Sequence, residues 1–202
     1  MSLDIIYVYI WAMLKNLFIS KVRIRILEKY MFDLNASHHV RGLVRDLGDE
    51  INAVRRELLN LKDAGILVSF KEGNKIVYKI NKDCPIIWEL RSMFFKESDL
   101  GQKILSSLSS IDDISIGIVT DAFIKNKHDN PSDIDMLFIG NMKIKDLTSA
   151  MNGLEKELGR VIKYAAIKPE DYEFGRRKKD PILMNALLND HIIIIGKDSA
   201  LV

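Results

Sequence analysis

Apolar residues recur every three or four positions in three consecutive segments near the start of the chain. Residues 24–31, 40–47 and 51–61 each carry such a stripe, and this spacing predicts three helices with one buried face each. Ser37 fits the N-cap of the second helix, and Gly48 fits its end. The third stripe begins three residues after Gly48. We therefore expect the last two helices to cross steeply, as in a helix-turn-helix.

Two apolar runs follow the third helix, which we expect Gly65 to end. Residues 66–70 and 76–80 are rich in Ile, Val, Phe and Tyr, and they predict two strands. Residues 71–75 separate them and include a glycine, which favours a hairpin loop. Three helices followed by a hairpin predict a winged helix.

The stretch VRRELLNLKDAGILVSFKEGNKIVYKIN, residues 54–81, resembles the recognition helix and wing of small prokaryotic winged-helix transcriptional regulators. The resemblance extends over about residues 14–96. It implies that the third helix enters the major groove of double-stranded DNA. It also implies that the hairpin, as the wing, touches the DNA backbone.

The candidate DNA contacts lie on the third helix and beside the hairpin loop. Asn52, Arg55 and Arg56 are opposite the apolar stripe, and Lys71 and Lys75 flank the loop. Arginine can bind guanine O6 and N7 together, and asparagine can do the same with adenine. Either arginine could instead bind phosphate and only position the protein. The alternative is an ordinary solvated helix face.

Two features of the third helix depart from the usual pattern of such regulators. Asp49 and Glu50 stand where a Ser or Thr cap is common, and acids there would repel phosphate. Leu59 is apolar on a face expected to be wet or on DNA. A variant winged helix that binds protein is therefore a second interpretation.

The second half of the chain alternates between strand and helix patterns, which predicts a small α/β domain with a central sheet. The predicted strands are 114–119, 134–139, 161–167 and 191–195, and the predicted helices are 143–159, 170–178 and 181–189. The predicted fold class is α+β, with a winged helix-turn-helix domain at 1–97 and the α/β domain at 98–202.

An acidic pair opens the second of these predicted strands. Asp133 and Asp135 are two residues apart, and in a strand such residues point to the same side. Carboxylate oxygens are ligands that Mg²⁺ prefers, and metals held by such a pair could position a triphosphate for attack. The alternative is an acidic pair that caps backbone amides.

The stretch DAFIKNKHDNPSDIDMLFIG, residues 121–140, resembles the motif of the minimal nucleotidyltransferase families. There a Gly-Ser pair precedes Asp-x-Asp by about a dozen residues, and a third carboxylate follows on a later strand. The resemblance covers roughly residues 111–196. Here the Gly-Ser pair falls on Asp121-Ala122, and the strand at 161–167 has no acid. The resemblance implies a degenerate site in which Asp133 and Asp135 are a remnant Mg²⁺ site.

The composition and charge of the chain exclude some classes of protein but do not identify a binding partner. The net charge is +2 and there is one cysteine, which excludes a disulfide-stapled scaffold. The apolar run 5–14 is much shorter than the roughly 20 residues of a membrane span, so we expect a cytoplasmic protein without a membrane partner. This run and the apolar stripe 86–94 exceed what three helices can cover, and they favour a homodimer. Packing between domains is the alternative for 86–94.

These features together predict a DNA-binding transcriptional regulator with no certain cofactor. Its C-terminal domain is expected to be catalytically inactive and to bind a nucleotide or protein ligand or to assist dimerisation. One alternative is an active metal-dependent nucleotidyltransferase acting on a protein or small molecule, and another is a protein-interaction scaffold. The basic run Arg176–Lys179 predicts a solvated helix face or a second nucleic-acid contact.

Overall fold

The computed structural model describes residues 17–196, and the chain divides into two compact units at Glu97 and Ser98. We refer to residues 1–97 as the N-terminal unit and to residues 98–202 as the C-terminal unit. The described part of the N-terminal unit contains, in order, α1 (Lys21–Phe32), β1 (Ser37–His39), α2 (Val40–Leu47), α3 (Ile51–Asp63), β2 (Leu67–Glu72), β3 (Lys75–Ile80) and α4 (Ile87–Glu97).

The three helices α1–α3 occupy the segments in which the apolar stripes repeat, as predicted. Their stripes form one buried core, with Leu27, Leu43 and Leu58 fully buried. Gly48 ends α2 with a left-handed φ of 68°, a conformation in which glycine carries no steric penalty. The prediction for Ser37 is wrong, because Ser37 lies in β1, paired with Lys79 of β3, and the residue at the N-cap is His39.

The sheet of the N-terminal unit has the order β1-β3-β2, and both of its pairings are antiparallel. The β2–β3 hairpin is tighter than the predicted five-residue loop. Its ladder continues to the pair Glu72 and Lys75, so only Gly73 and Asn74 remain in the turn. Gly73 has a φ of 58°, which the mirror-image turns of two-residue hairpins require.

Helix α4 covers the same core instead of presenting its stripe outward. Ile87, Leu90 and Phe94 are buried in the cluster that α1–α3 build. The stripe therefore does not need a second subunit, which removes one of the two apolar segments that favoured a dimer. Ile86 and Trp88 are the exposed apolar residues beside it. The other segment, 5–14, lies outside the described residues.

The C-terminal unit is built on one mixed four-stranded sheet of order β6-β5-β4-β7. Strand β4 is antiparallel to β5 and β7, while β5 and β6 are parallel. The described elements are α5 (Asp99–Leu108), β4 (Ile114–Thr120), α6 (Asp121–Lys125), β5 (Met136–Gly140), α7 (Ile144–Leu158), β6 (Tyr164–Ile167), α8 (Pro169–Lys178), α9 (Pro181–Leu188) and β7 (His191–Ile195). The two units together confirm the α+β class.

Strands β4 and β5 carry the core against which α8 and α9 pack. Ile118 and Leu137 belong to one buried cluster with Tyr172 of α8 and Leu183 of α9. The short helix α6 is absent from the sequence prediction, since five residues are too few to show a helical period. Between Leu17 and Gly196, no helix is long and apolar enough to span a membrane.

Candidate nucleic-acid interface

One face of α3 presents the polar residues that the sequence singles out. Asn52, Arg55 and Arg56 are exposed, while Val54 and Leu58 on the opposite side are fully buried. We call the exposed side, defined by Asn52, Arg55 and Arg56, the α3 face. It offers two guanidinium groups and one amide to a ligand, and Leu59 beside it is 44% exposed.

The two acids that precede α3 have structural roles that the sequence analysis missed. Glu50 is the N-cap residue, and its carboxylate accepts hydrogen bonds from the backbone amides of Asn52 and Ala53 at 2.8 and 3.3 Å. Asp49 accepts a hydrogen bond from Arg25 Nη1 at 2.8 Å. Glu50 therefore caps α3 as a Ser or Thr would, and the hydrogen bond of Asp49 connects the start of α3 to α1.

A partly buried ion pair fixes the middle of α3 to α1. Glu57 is 3% exposed, and its Oε2 accepts a hydrogen bond from Arg23 Nε at 2.8 Å. Burial raises the pKa of Glu57, but hydrogen bonds from Arg23, Ser20 and Asn60 outweigh it and hold the pKa below its ordinary value. Glu57 thus stays charged in the core. The sequence signal for this contact is an acid inside the apolar stripe of α3.

Lys71 and Lys75, the two lysines predicted to flank the hairpin loop, lie on different strands of the hairpin. Residues directly opposite in an antiparallel pair share a face, and Lys71 pairs with Ile76 whereas Lys75 pairs with Glu72. Since neighbouring residues of a strand point to opposite faces, Lys71 and Lys75 project from opposite faces of the hairpin. Both are exposed.

An aromatic residue and a third lysine on the hairpin were missed by the sequence analysis. Phe70 is 40% exposed, and the Nζ of Lys79 lies 5.4 Å from the centre of its ring. Val68, Phe70 and Lys79 share the hairpin face of Lys75 by their register. The alternation of Val68 and Phe70 along β2 was the available signal. This hairpin face therefore combines two cations and an exposed aromatic ring with Glu72, which lies opposite Lys75.

The acidic pair of the C-terminal unit does not lie in a strand. β5 begins at Met136, and Asp133 and Asp135 belong to the turn before it, where the Asp133 amide donates to Asn130 O at 3.0 Å. The expectation that the two side chains share one face of a strand is therefore wrong. The main chain of Asp135, next to β5, donates from its amide to Lys163 O at 2.7 Å and accepts at its carbonyl from the Thr120 amide at 3.0 Å.

Hydrogen bonds from its own loop surround Asp133. Its Oδ2 accepts from the amides of Asp129 and Asn130 at 2.7 and 2.8 Å, and its Oδ1 accepts from Asn185 Nδ2 at 2.9 Å. The amide of Asn130 is the main cause that holds the pKa of Asp133 below its ordinary value, against the effect of burial. Asp133 thus joins the loop to helix α9.

Asp135 contacts different groups and is 2% exposed. Its Oδ2 accepts a hydrogen bond from the Lys163 amide at 2.8 Å, and its Oδ1 lies 3.0 Å from Nε2 of His128. The sequence analysis did not single out Lys163 because its backbone, not its side chain, makes the contact. His128 lies in the same loop as Asp133.

These contacts do not fit a Mg²⁺ ion held by the pair. Three of the four carboxylate oxygens of Asp133 and Asp135 accept hydrogen bonds, and the fourth contacts His128. Across residues 17–196, no group of three or more His, Cys, Asp or Glu side chains is placed to hold a metal. The contacts match the amide-capping alternative, and we derive no catalytic step through a metal.

A capped helix stands where the nucleotidyltransferase motif has its Gly-Ser pair. β4 ends at Thr120, whose Oγ1 donates to Ile134 O at 2.5 Å and accepts from the Phe123 amide at 3.4 Å as the N-cap of α6. Asp121 forms an ion pair with Lys125 at 2.5 Å. The side chain of Asp121, the residue that the sequence comparison aligned with the glycine of that motif, is thus paired with Lys125 in the same short helix.

Comparison with known proteins gives a partial match. The chain is 39% identical over 57 residues to an uncharacterized HTH-type transcriptional regulator of Methanocaldococcus jannaschii. The match covers 27% of this chain and 15% of that relative, so the chain spans a small part of the relative's length. No protein-family model and no solved structure matches the chain significantly.

Proposed function

We propose that this protein is a cytoplasmic DNA-binding transcriptional regulator with an N-terminal winged helix-turn-helix domain. The observation that carries the proposal is the α3 face, which exposes Asn52, Arg55 and Arg56 on a helix anchored to α1 by Asp49 and Glu57. The partial similarity to an HTH-type transcriptional regulator supports the same function.

In this proposal α3 enters the major groove of double-stranded DNA. The guanidinium groups of Arg55 and Arg56 and the amide of Asn52 reach base edges or phosphates there. The partly buried pair of Arg23 and Glu57 holds the helix against α1, so the α3 face meets the groove in one orientation. Such preorganisation reduces the entropy lost on binding.

The hairpin acts as the wing and contacts the phosphate backbone. Lys75 and Lys79 project from one of its faces and Lys71 from the other, so Lys71 and Lys75 cannot both contact phosphates through the same face. The tight Gly73–Asn74 turn limits the movement of the strands that carry them. We propose that the face with two lysines lies toward the DNA.

We propose that the C-terminal unit is a degenerate nucleotidyltransferase-like domain that does not transfer nucleotides. The order of its parts supports the likeness, since Asp121 directly follows the end of β4 and the acidic pair precedes the adjacent β5. The hydrogen bonds of Asp133 and Asp135 support the loss of catalysis, because they leave those carboxylates committed to the fold. The unit would instead bind a nucleotide or protein ligand or assist dimerisation.

A homodimer remains part of the proposal because regulators of this kind read two half-sites with two-fold symmetry. The described residues give it no contact surface of its own, since the stripe of α4 is buried within the N-terminal unit. Light scattering coupled to gel filtration measures the mass directly. A mass near 46 kDa, twice the 23.1 kDa of the chain, is the expected result.

Selection of bound sequences from a random DNA pool tests the regulator function. The full chain is expected to enrich a defined site, with and without Mg²⁺ and nucleotide. Triple replacement of Asn52, Arg55 and Arg56 by Ala should abolish enrichment while leaving the circular dichroism spectrum unchanged. If the unaltered chain enriches no sequence, the regulator proposal fails and the protein-interaction alternative gains weight.

A further inference from the structure

A second cationic surface lies in the C-terminal unit, at the end of α8. Arg176, Arg177 and Lys178 form the last turn of α8, and Lys179 follows as its C-cap residue with a left-handed φ of 55°. We call Arg176–Lys179 the basic tip. Four consecutive cations raise the local potential because Coulomb repulsion between them is relieved only by an anionic partner or by solvent ions.

The helix end does not need these side chains for capping. The amide of Lys179 donates to the carbonyls of Arg176 and Gly175, and the amide of Asp180 donates to Gly175 O at 3.0 Å. The carbonyls of Gly175 and Arg176 thus accept from backbone donors at this helix end. A favourable interaction with the helix dipole explains one cation at such an end, but it does not account for four.

The last three cations of the basic tip, Arg177, Lys178 and Lys179, are not paired with the acids nearby in sequence. The carboxylate of Asp180 accepts from the amides of Ile182 and Leu183, both at 3.0 Å, as the N-cap of α9. Glu173 stands four residues before Arg177, a spacing at which helix ion pairs form. Even so, Arg177, Lys178 and Lys179 form no ion pair within residues 17–196.

Two aromatic rings orient part of the basic tip. The guanidinium carbon of Arg176 lies 5.6 Å from the ring centre of Tyr172, and Nζ of Lys178 lies 5.8 Å from that of Phe174. These are cation–π distances. Phe174 is 64% exposed, so it holds Lys178 at the surface rather than in a core. The cations are therefore partly preorganised for a ligand.

We propose that the basic tip is a second binding surface for the phosphate backbone of the same double-stranded DNA that the α3 face binds. The inference rests on the proposed function, because a chain already held on DNA brings its other cationic surface to a high local concentration of phosphate. Backbone phosphates match a row of cations without base recognition. The contact adds affinity without altering the selected sequence.

The test compares two lengths of DNA with the full chain. One duplex carries only the selected site, and the other carries it with about 20 flanking base pairs on each side. The altered chain is Arg177→Ala/Lys178→Ala. The matched control is Lys143→Ala/Lys145→Ala, which removes two exposed cations from the same unit.

On the long duplex the Arg177→Ala/Lys178→Ala protein should bind more weakly than the control. The slope of log K against log salt should fall by about two, since each neutralised phosphate contributes about 0.9. On the short duplex, which offers fewer phosphates, the difference between the two proteins should be no larger than on the long duplex. Equal binding of both proteins to the long duplex overturns the inference and leaves the proposed function intact.

Two further outcomes separate the inference from its premise. If the unaltered chain binds neither duplex, the proposed function and the inference fall together. Vesicles of phosphatidylserine and phosphatidylcholine provide the other comparison. If they bind the chain through Arg177 and Lys178 while long-duplex binding is unaffected by the substitutions, a membrane surface is the partner and the DNA inference is overturned.

Discussion

The α3 face and the loop that carries Asp133 and Asp135, which we call the acidic loop, differ in the exposure of their charged groups. Arg55 and Arg56 are exposed to solvent, whereas Asp133 and Asp135 are 9% and 2% exposed and bonded to protein donors. Exposed cations can exchange water and counterions for phosphate. Carboxylates that already accept amide hydrogen bonds contribute to the fold instead. The difference teaches that a motif residue is available for binding where the fold leaves its charged group exposed to solvent, as it does for Arg56 although Nε of that residue lies 4.0 Å from Oε1 of Glu57.

The comparison predicts a stability effect, not a binding effect, in the acidic loop. Replacing Asp133 by Ala should lower the free energy of unfolding by about 3 kcal/mol, because two backbone amides and Asn185 lose a charged acceptor. Urea unfolding of the full chain measures it. Asp129→Ala, which removes an exposed carboxylate of the same loop, is the control and should change stability by less than about 0.5 kcal/mol.

We also expect the Asp133→Ala protein to bind the selected DNA tightly at a temperature where it remains folded. A large loss of DNA affinity with unchanged stability would contradict the division between the two regions. It would place the acidic loop in the binding machinery.

A structural feature could be predicted from the sequence when residues close to it in the chain determine it. The helices and the hairpin strands were predictable because their periods are read within a dozen residues. Glu57 and Asp133 were not interpretable, because their partners Arg23 and Asn185 lie 34 and 52 residues away. Ser37 failed for the same reason, since its extended conformation is fixed by pairing with β3. Side-chain exposure on α3 followed directly from its stripe.

Glu97 sharpens the comparison because it is a buried carboxyl with one oxygen that has no donor among the described residues. It is 6% exposed, and its Oε2 has no hydrogen-bond partner in the described part of the chain. Burial raises the pKa of Glu97 from 4.5 to about 7. The folded state therefore binds a proton more tightly than the unfolded state, so the contribution of Glu97 to stability is present below pH 4.5 and is lost as the pH rises to 7.

We expect this loss to be at most about 3 kcal/mol, from 1.36 kcal/mol for each pKa unit. Glu97→Gln should be more stable than the unaltered chain at pH 7 and should flatten the decline between pH 4.5 and 7. Urea unfolding across this pH range is the measurement. Glu89→Gln, an exposed glutamate of the same helix, should leave the decline in place, and an identical decline in the Glu97→Gln protein would refute the assignment.

A substitution on the α3 face should lower the affinity for DNA and leave the stability unchanged, the reverse of a substitution in the acidic loop. Arg56→Ala is expected to weaken binding of the selected DNA by about 1–3 kcal/mol if it contacts a guanine, while its free energy of unfolding stays within about 0.5 kcal/mol of the original. Gel-shift titration at several salt concentrations measures the loss. Lys29→Ala removes an exposed cation of α1 and is the matched control. Unchanged affinity of the Arg56→Ala protein at every salt concentration would remove Arg56 from the interface.

The smallest expected effect is that of Mg²⁺ on the acidic loop. A ligand that binds only the folded state stabilises it by RT ln(1 + [L]/Kd), so an ion with a Kd of about 0.1 mM would add about 2.7 kcal/mol at 10 mM. Because the oxygens of Asp133 and Asp135 already contact protein groups, we expect no such gain at 10 mM Mg²⁺. Thermal unfolding with MgCl₂, compared with NaCl of equal ionic strength, makes the measurement. Incubation with labelled nucleoside triphosphates should likewise leave no label on protein or RNA. A Mg²⁺-dependent rise in Tm that disappears in the Asp135→Asn protein, accompanied by label transfer, would restore the nucleotidyltransferase alternative. It would also show that the loop opens to exchange its amide donors for a cation.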